Sequence, residues 1–257
     1  MSARRLTLST IDGIPLVMPG DDVTSLLLDG LNSSDDRLEN GDILVIAQKI
    51  FSKAQDRYVS IGDVSPSPDA VRLAEAVDKD PRIVELILSE SSEIVRHRPG
   101  VLIVAHRLGF VMANAGIDAS NVAAGSEGDE RVLLLPVDPD SDCARVRDEI
   151  KARVGIEVAV IMNDSVGRAW RSGTAGIAIG VAGLPAILDL RGDNDLFGRP
   201  LKVSIVGIAD ELAAAASILQ GQAAEGAPAV LIRGYSVEGE HTTGQELIRD
   251  KSEDLFR

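Results

Sequence analysis

The sequence predicts an α+β fold that combines mixed or antiparallel sheets with helices. Short apolar, β-branched runs recur along the chain, and each is bounded by turn-forming residues, as is typical of strands. Helical patterns lie between these runs, but without the regular strand–helix alternation of a doubly wound sheet. The chain also contains neither a Gly-x-Gly nor a P-loop sequence. We therefore expect neither a Rossmann fold nor a P-loop fold.

Each predicted element follows from a local pattern. Strands are predicted where β-branched residues are flanked by turn formers, at residues 42–47, 101–105, 132–135, 157–162, 203–208 and 229–232. Helices are predicted where apolar residues recur at helical spacing, at residues 68–78, 82–95, 141–154 and 210–219. Gly221 is expected to end the last helix. Tight backbone packing is predicted for the glycines at 173, 176, 180 and 183, and exposed loops at residues 65–69 and 125–130.

Composition and charge limit the class of protein. The 257 residues are 45% hydrophobic and 26% charged, which suits one large folded domain. The net charge of −14 argues against sequence-independent nucleic-acid binding, because such binding needs a basic face. Cys143, the single cysteine, is expected to be structural and permits no internal disulfide. No secretory signal and no membrane-spanning run is recognisable, so we expect a cytoplasmic protein without membrane partners.

Two segments place oxygen ligands beside glycine. Residues 114–121 read Asn-Ala-Gly-Ile-Asp-Ala-Ser-Asn, and residues 163–171 read Asn-Asp-Ser-Val-Gly-Arg-Ala-Trp-Arg. Their acids, Asp118 and Asp164, are hard ligands suited to Mg²⁺ or Mn²⁺. Arg168 and Arg171 follow the second acid at helix-like or turn-like spacing and could hold a phosphate. Taken singly, each segment is equally well explained as a loop with Asx turns.

Three further segments could contact a phosphate-bearing ligand. Residues 13–16, Gly-Ile-Pro-Leu, fix an irregular backbone, although an ordinary turn explains them as well. The strand at 42–47 runs into a polar turn with Lys49 and Lys53, which suit a phosphate or form a solvated pair. The glycine-bearing loop at residues 220–228 could wrap a nucleotide, or it could simply end a helix. Residues 192–199 mix acids with glycine and receive no assignment.

In this order, the segments resemble the coenzyme F420-0:L-glutamate ligases, also called F420:γ-glutamyl ligases. The resemblance extends from residue 13 to residue 235 and includes seven matching segments, at residues 41–45, 52–54, 114–121, 134–140, 164–171, 209–214 and 228–230. It implies GTP-dependent addition of L-glutamate to the deazaflavin precursor coenzyme F420-0, with release of GDP and phosphate. It further implies that members can add a second glutamate through a γ-linkage and that some add more. It also implies two Mg²⁺ or Mn²⁺ sites, K⁺ in some members, and a homodimer. The expected fold is family-specific and two-lobed, with residues 1–257 forming one ligase domain and no reductase domain.

The resemblance also implies roles for individual residues. The metal positions fall on Asp118, Asp164, Ser165 and Gln222. The nucleotide positions fall on Ile14, Pro15, Leu16, Val17, Gln48, Lys53, Asn121, Gln220, Gly221, Gln222, Ala223, Ala224, Glu225, Gly226 and Ala227. The chain departs from the family pattern in places. Ser165 replaces a more usual threonine but keeps the hydroxyl, Asn163 stands where threonine is frequent, and Gln48 stands where serine or threonine is common.

Joining a carboxylate to an amine is uphill in water, so the carboxylate must first be activated. We expect the precursor's carboxylate to attack the γ-phosphate of GTP, giving an acyl phosphate from which the amine of glutamate displaces phosphate. Arg168 and Arg171 are predicted, from charge and spacing, to clamp phosphate or a substrate carboxylate as catalytic residues. Two alternatives remain open at this stage. One is a metal-dependent nucleotide phosphohydrolase that uses the same acids, and the other is a non-catalytic protein that binds a nucleotide or a deazaflavin.

Overall fold

The computed structural model describes residues 5–34, 36–122, 129–236 and 238–255. Its strands are β1 (Thr7–Thr10), β2 (Ile43–Ala47), β3 (Tyr58–Ser60), β4 (Ser91–Arg98), β5 (Val101–His106), β6 (Val111–Ala113), β7 (Arg131–Leu133), β8 (Ala159–Gly167), β9 (Thr174–Ala182), β10 (Leu188–Asp189), β11 (Ile205–Val206) and β12 (Ala229–Arg233). Its helices are α1 (Val23–Ser33), α2 (Gln48–Ala54), α3 (Pro68–Val77), α4 (Pro81–Ser89), α5 (Pro139–Val154) and α6 (Ile208–Gln220). None of the helices in these ranges is long and apolar enough to cross a membrane.

A mixed five-stranded sheet forms the centre of the fold, in the order β1-β12-β2-β8-β9. Strands β2 and β8 run parallel, and the other neighbours in this sheet are antiparallel. Smaller sheets are formed by β4-β5-β6, by β3-β7 and by β10-β11. Mixed sheets joined by helices without a repeating strand–helix unit confirm the predicted α+β class.

Both faces of the central sheet are buried, which explains the continuous apolar run of β2. Side chains alternate between the two faces of a strand. Leu44 and Ile46 belong to a core that includes α5, whereas Ile43 and Val45 belong to a core that includes α6. A third core lies between α3, α4 and strand β5. Buried Cys143 packs in the α5 core, consistent with a structural role.

Glycines in β9 let both helices approach the sheet closely. A Cβ added to Gly180 would lie 2.5 Å from the carbonyl oxygen of Pro139 at the start of α5. At Gly176, the corresponding distance to the carbonyl oxygen of Ala213 in α6 would be 2.6 Å. Contacts this short leave no room for a methyl group. The predicted tight packing is confirmed at these two positions and at Gly183, where an added Cβ would lie 2.9 Å from the Val158 carbonyl oxygen. It is wrong at Gly173, where an added Cβ would have nothing within 4 Å.

The predicted ends of two helices are also confirmed. Helix α5 begins after Asp138, whose carboxylate accepts a hydrogen bond from the Ser141 amide, and it ends at Gly155 in a left-handed conformation. Helix α6 ends at Gly221, whose amide donates to the carbonyl oxygen of Ser217. The chain then leaves α6 at a defined point and enters the loop that leads to β12.

Other predicted elements need correction. The helix predicted at 82–95 ends at Ser89, and residues Ser91–Arg98 form β4, because pairing with β5 outweighs the local helical spacing. The polar turn predicted after β2 is helix α2, which buries Ile50 and Phe51. The strand predicted at 157–162 continues to Gly167, where it pairs with β9. The predicted strand at 203–208 shortens to β11, and the loop predicted at 125–130 lies mostly outside the described residues.

Candidate active site

A cavity of about 900 Å³ opens where strand β2 ends beside the parallel strand β8. The regions that line it come from distant parts of the chain: residues 14–19, α2 with residue 47, residues 118–122, residues 163–165 of β8, and the loop at residues 220–228. The carboxyl end of parallel strands is a common position for ligand sites, because the chain leaves the sheet there and its loops can surround a ligand.

The cavity brings together the residues that the resemblance assigns to metal and nucleotide. All of them line its wall: Ile14, Pro15, Leu16, Val17, Gln48, Lys53, Asp118, Asn121, Asp164, Ser165, Gln220, Gly221, Gln222, Ala223, Ala224, Glu225, Gly226 and Ala227. Arg168 and Arg171 are placed differently. Both are exposed in the turn between β8 and β9, where the Arg171 amide donates to the carbonyl oxygen of Arg168, and neither lines the cavity.

Asp118 is held by an ion pair and a local turn. Lys49 Nζ lies 2.6 Å from Asp118 Oδ2 and donates to Ser120 Oγ at 3.0 Å. Asp118 Oδ1 accepts hydrogen bonds from the Ser120 amide and hydroxyl at 2.8 and 2.7 Å. Burial alone would raise the pKa of the Asp118 carboxyl, but the hydrogen bonds from Lys49 and Ser120 hold it below its ordinary value. Asp118 is therefore a carboxylate near neutral pH.

The pKa of Asp164 is shifted in the opposite direction, upward. It lies on β8 opposite Ile177, and its Oδ1 accepts a hydrogen bond from the Ser165 amide at 2.8 Å. Burial raises the pKa of Asp164 to about 6, and the negative charge of Asp118 adds to this, although Lys49 acts in the other direction. Two neighbouring acids thus share one lysine, and a further cation beside Asp164 would stabilise its ionised form.

The donor atoms fit a hard divalent cation. Asp118 and Asp164 offer carboxylate oxygens, Ser165 offers a hydroxyl, and Gln222 offers an amide oxygen from the loop at residues 220–228. Among the described residues, no group of three or more His, Cys, Asp or Glu side chains is placed to hold a metal. A metal here would need oxygens from the substrate as well. That is the usual arrangement for Mg²⁺ bound to phosphates, where the protein supplies one or two carboxylates.

Helix α2 contributes Gln48 and Lys53 to the wall. The Gln48 side chain is buried, and its Oε1 accepts a hydrogen bond from Ser52 Oγ at 2.7 Å. Burial lowers the pKa of the Lys53 ammonium, and the charge of Lys49 lowers it further, while Asp118 acts to raise it. An anion entering the cavity would relieve both effects, so Lys53 is placed to favour phosphate binding.

The loop at residues 220–228 is tied to the rest of the site by amide side chains. Asn121 Nδ2 donates to the carbonyl oxygen of Ala223 at 3.0 Å, which connects the loop to the segment that carries Asp118. Asn163 Nδ2 donates to Gln220 Oε1 at 2.7 Å, and Gln220 Nε2 donates to Asn163 Oδ1 at 3.1 Å. The loop therefore has a fixed position relative to both predicted metal-binding segments.

The sequence reasoning missed one part of the wall, formed by Tyr58 and Arg131. The Arg131 guanidinium lies over the Tyr58 ring, 4.8 Å from its centroid. Burial raises the pKa of the Tyr58 phenol, and the arginine counteracts this. The two residues face each other only because β3 pairs with β7, and neither lies in a recognisable motif. The one available signal was the scarcity of tyrosine, since Tyr58 is one of only two in the chain.

Comparison with known proteins identifies the family. Residues 13–234, most of the chain, match the model of the family described as F420-0:Gamma-glutamyl ligase. The chain belongs to this family. Among curated relatives of the F420-0:γ-glutamyl ligase family, the coenzyme F420:L-glutamate ligase of Methanothermobacter thermautotrophicus is 45% identical over 254 residues, covering 98% of this chain and 99% of the relative. The proteins of the same name from Methanopyrus kandleri and Archaeoglobus fulgidus are 44% and 39% identical, with coverage of 96% and 98% of this chain and 97% of each relative.

Family membership confirms the resemblance drawn from the sequence motifs. The matched range includes every region that lines the cavity, from residue 14 to residue 228. The likeness to the F420-0:γ-glutamyl ligases is therefore not confined to the fold core. It extends over the acids of residues 118 and 164, the helix that carries Lys53, and the glycine-bearing loop.

Proposed function

We propose that this chain is a GTP-dependent coenzyme F420-0:L-glutamate ligase. The observation that carries the proposal is the meeting of two acids, a strand hydroxyl and a glycine-bearing loop in one cavity of a chain from this family. Relatives that bear the ligase name are 38–45% identical over nearly the whole chain. The substrates are small molecules: coenzyme F420-0, L-glutamate and GTP. The proposed partners include neither nucleic acid nor membrane.

The reaction needs an activated carboxylate. The terminal carboxylate of coenzyme F420-0 attacks the γ-phosphorus of GTP, forming a C–O–P bond as the bond to GDP breaks. The amine of L-glutamate then attacks the acyl carbon, and inorganic phosphate leaves as the amide forms and the amine loses a proton. In members of the family that continue the reaction, the γ-carboxylate of the glutamate already attached is activated in the same way, and the amine of the next glutamate displaces phosphate from it.

Asp118, Asp164, Ser165 and Gln222 would hold Mg²⁺ or Mn²⁺ at two sites, and K⁺ is a further proposed ion. When bound, these ions would neutralise charge on the phosphates as it moves toward the leaving oxygen. The chain's own residues provide the frame for this. The Ser165 amide orients the Asp164 carboxylate, and the Ser120 amide and hydroxyl orient that of Asp118.

The residues implied for GTP come from several regions of the cavity lining. Residues 14–17 and the loop at 220–227 both line the cavity, and Asn121 joins that loop to the Asp118 segment. Lys53 is placed to pair with a phosphate oxygen, because its charge is disfavoured by burial until an anion is present. Gln48 would affect GTP binding by fixing Ser52 and the start of α2, because its side-chain oxygen already accepts a hydrogen bond from the Ser52 hydroxyl.

Arg168 and Arg171 remain proposed catalytic residues. They lie in the exposed turn that follows the strand carrying Asp164 and Ser165. Long arginine side chains there can reach a substrate that extends out of the cavity, and a guanidinium binds a carboxylate through two parallel hydrogen bonds. The terminal carboxylate of coenzyme F420-0 is a group that such an arginine could bind.

We further propose that the protein is a cytoplasmic homodimer. Leu196 is fully exposed and Phe197 is 81% exposed, in the segment between β10 and β11. Large apolar side chains exposed together on a surface segment favour contact with another surface. Light scattering coupled to size exclusion measures the mass directly. A mass of one chain, about 27 kDa, at micromolar concentration would contradict the dimer.

The decisive experiment measures phosphate release by the purified protein with GTP and Mn²⁺ or Mg²⁺, with L-glutamate and coenzyme F420-0 omitted in turn. Release that requires both, together with a mass gain of one or more glutamyl units, is the expected result. Release without either substrate would favour the phosphohydrolase, and GTP binding without turnover would favour a binding protein. Oxygen-18 placed in the carboxylate of coenzyme F420-0 should appear in the released phosphate, and its absence there would exclude the acyl phosphate.

A further inference from the structure

Asn163 and Gln220 form a reciprocal amide pair in the wall of the cavity. Asn163 is only 3% exposed and lies on β8 between β2 and β9. Its side chain both donates to Gln220 and accepts from it, at 2.7 and 3.1 Å, and it also donates to the carbonyl oxygen of Ala213 at 3.4 Å. A two-way amide contact fixes the orientation of both side chains more strictly than a single hydrogen bond does.

Gln220 directs its polar atoms into the protein. Its Oε1 accepts from Asn163, and its Nε2 donates to Asn163 and to the carbonyl oxygens of Val45 and Pro228, at 3.4 and 3.3 Å. One side chain therefore connects the end of α6 with β2, β8 and the residue before β12. These contacts engage the amide group within the fold, although the residue itself forms part of the cavity wall.

The pair connects the strand that carries Asp164 with the loop that carries Gln222. Asn163 immediately precedes Asp164 on β8, and Gln220 lies two residues before Gln222 in the loop. The Asn163–Gln220 contact links the start of the loop to the strand that carries Asp164 and Ser165. The contact between Asn121 and Ala223 holds the other side of the loop, so the loop is fastened at two points.

We infer that Asn163 and Gln220 act as one positioning unit, which holds the 220–228 loop in register with β8 for the binding of a nucleoside triphosphate and its metal. Gln220 then contributes to nucleotide binding through the position of the loop, and its side chain makes no direct contact with the ligand. The inference rests on the proposed function for the identity of the ligand. The positioning itself is a property of the ligand-free protein.

A double-mutant cycle separates positioning from direct contact. Asn163→Ala leaves Gln220 Oε1 without its donor, and Gln220→Met leaves Asn163 Oδ1 without its donor. Each variant should therefore raise KM for GTP about 10-fold, with a smaller change in kcat. The double variant removes both groups, and its KM should be no higher than that of the worse single variant. If the Gln220 side chain contacts the nucleotide, the two effects should instead multiply to about 100-fold, which would overturn the inference.

Backbone hydrogen exchange of the ligand-free protein tests the positioning without any turnover. Amides of residues 221–227 should exchange about 10-fold faster in either single variant. Gln245→Ala is the matched control, because Gln245 also donates to a backbone carbonyl, that of Leu108, but lies outside the cavity lining. Unchanged exchange in the loop of a folded variant would refute the pair's role. Asn163→Ser replaces the alanine variant if circular dichroism shows that the latter is unfolded.

The two experiments keep the inference apart from the proposed function. If the wild-type protein fails to turn over GTP with coenzyme F420-0 and L-glutamate, the proposed function fails, while the exchange data still decide whether the pair holds the loop. A second outcome combines an active wild-type ligase with KM effects of the two single variants that multiply and with unchanged exchange of amides 221–227 in both. In that case the proposed function stands and the positioning unit is wrong.

Discussion

Replacing Asp164 by asparagine should stabilise the metal-free protein while removing its response to metal. The carboxyl of Asp164 has a pKa of about 6 in the folded chain, against an ordinary value of 3.8. Burial causes most of this shift, and the charge of Asp118 adds to it. Asparagine has nearly the same shape and can still accept the hydrogen bond from the Ser165 amide, but it carries no charge.

The size and sign of the effect follow from proton linkage. Between the two pKa values the folded protein retains a proton that the unfolded chain has released, so the free energy of unfolding falls as the pH rises. The shift in pKa from 3.8 to about 6 corresponds to about 3 kcal/mol of unfolding free energy. The protein loses this stability as the pH rises from roughly 4 to 6.5. Asp164 is partly exposed, so we expect about 1–3 kcal/mol of stabilisation for Asp164→Asn near pH 8.

Urea unfolding with EDTA, near pH 4 and near pH 8, measures this difference. Unfolding with excess Mn²⁺ then measures the metal response. At 100 times the dissociation constant, a bound ion stabilises the wild-type protein by about 2.7 kcal/mol, and the asparagine variant should lack this gain. Asp210→Asn is the matched control, because burial also raises the pKa of Asp210 but its carboxylate accepts from the Ala178 amide, away from the cavity.

Two results would refute this reasoning. If the metal-free Asp164→Asn variant is less stable than wild type near pH 8, the carboxylate is not disfavoured by its surroundings. If Mn²⁺ stabilises the variant as much as it stabilises wild type, Asp164 does not hold the metal. Like Asp164→Asn, the Asp210→Asn control should raise the free energy of unfolding near pH 8 relative to wild type. Unlike Asp164→Asn, it should keep the full stabilisation by Mn²⁺, so the control separates the effect of burying a charge from the effect of losing a metal ligand.

Three further predictions concern the lysine, the buried acid and the close-packed glycine. Lys53→Met should raise KM for GTP about 10-fold or more by removing a phosphate partner, and equal KM values in steady-state assays would contradict this. Glu90→Gln should cost about 3 kcal/mol near pH 7, because His106, whose Nε2 lies 3.5 Å from Glu90 Oε2, and the neighbouring arginines lower the pKa of Glu90 to about 2. Urea titrations should show the difference in unfolding free energy closing as the pH falls from about 4.5 toward 2. Gly180→Ala should cost about 1–3 kcal/mol in urea unfolding, whereas Gly167→Ala, with nothing near the added Cβ, should change stability by about 0.5 kcal/mol or less.

Local patterns predicted most of the central sheet, but long-range pairing decided the rest. The helix predicted at 82–95 is half wrong, because the residues after Ser89 pair with β5 in a hairpin. Pro99-Gly100, with Gly100 in a left-handed conformation, was the turn signal that could have predicted this hairpin. Helix α2 has only seven residues, too few for a clear periodic pattern, and its conformation depends on burying Ile50 and Phe51.

The cavity-lining residues of the site could be predicted because their types and order match those of the family. Their contacts could not. Lys49 pairs with Asp118, and Asn163 pairs with Gln220, across segments that only the folded sheet brings together. Sequence alone treats Lys49 as either a phosphate partner or a solvated lysine, and gives Asn163 no role. Arg168 and Arg171 are predicted at the site from their spacing after Asp164, but neither lines the cavity. Spacing along the chain does not determine whether the turn that carries them lies toward the cavity.

Strand geometry explains how two successive residues of β8, Asn163 and Asp164, contact different parts of the site. Successive side chains of a strand point to opposite faces of a sheet. Asn163 contacts Gln220 and the Ala213 carbonyl on the side of α6, whereas Asp164 is influenced by Asp118 and Lys49 on the other side. The register shift between Met162 and Asn163 in the β8–β9 pairing sets which residue faces which side. Inserting one residue before Asn163 would move Asn163 to the present position of Asp164, so an amide would replace the carboxylate beside Asp118 and Lys49.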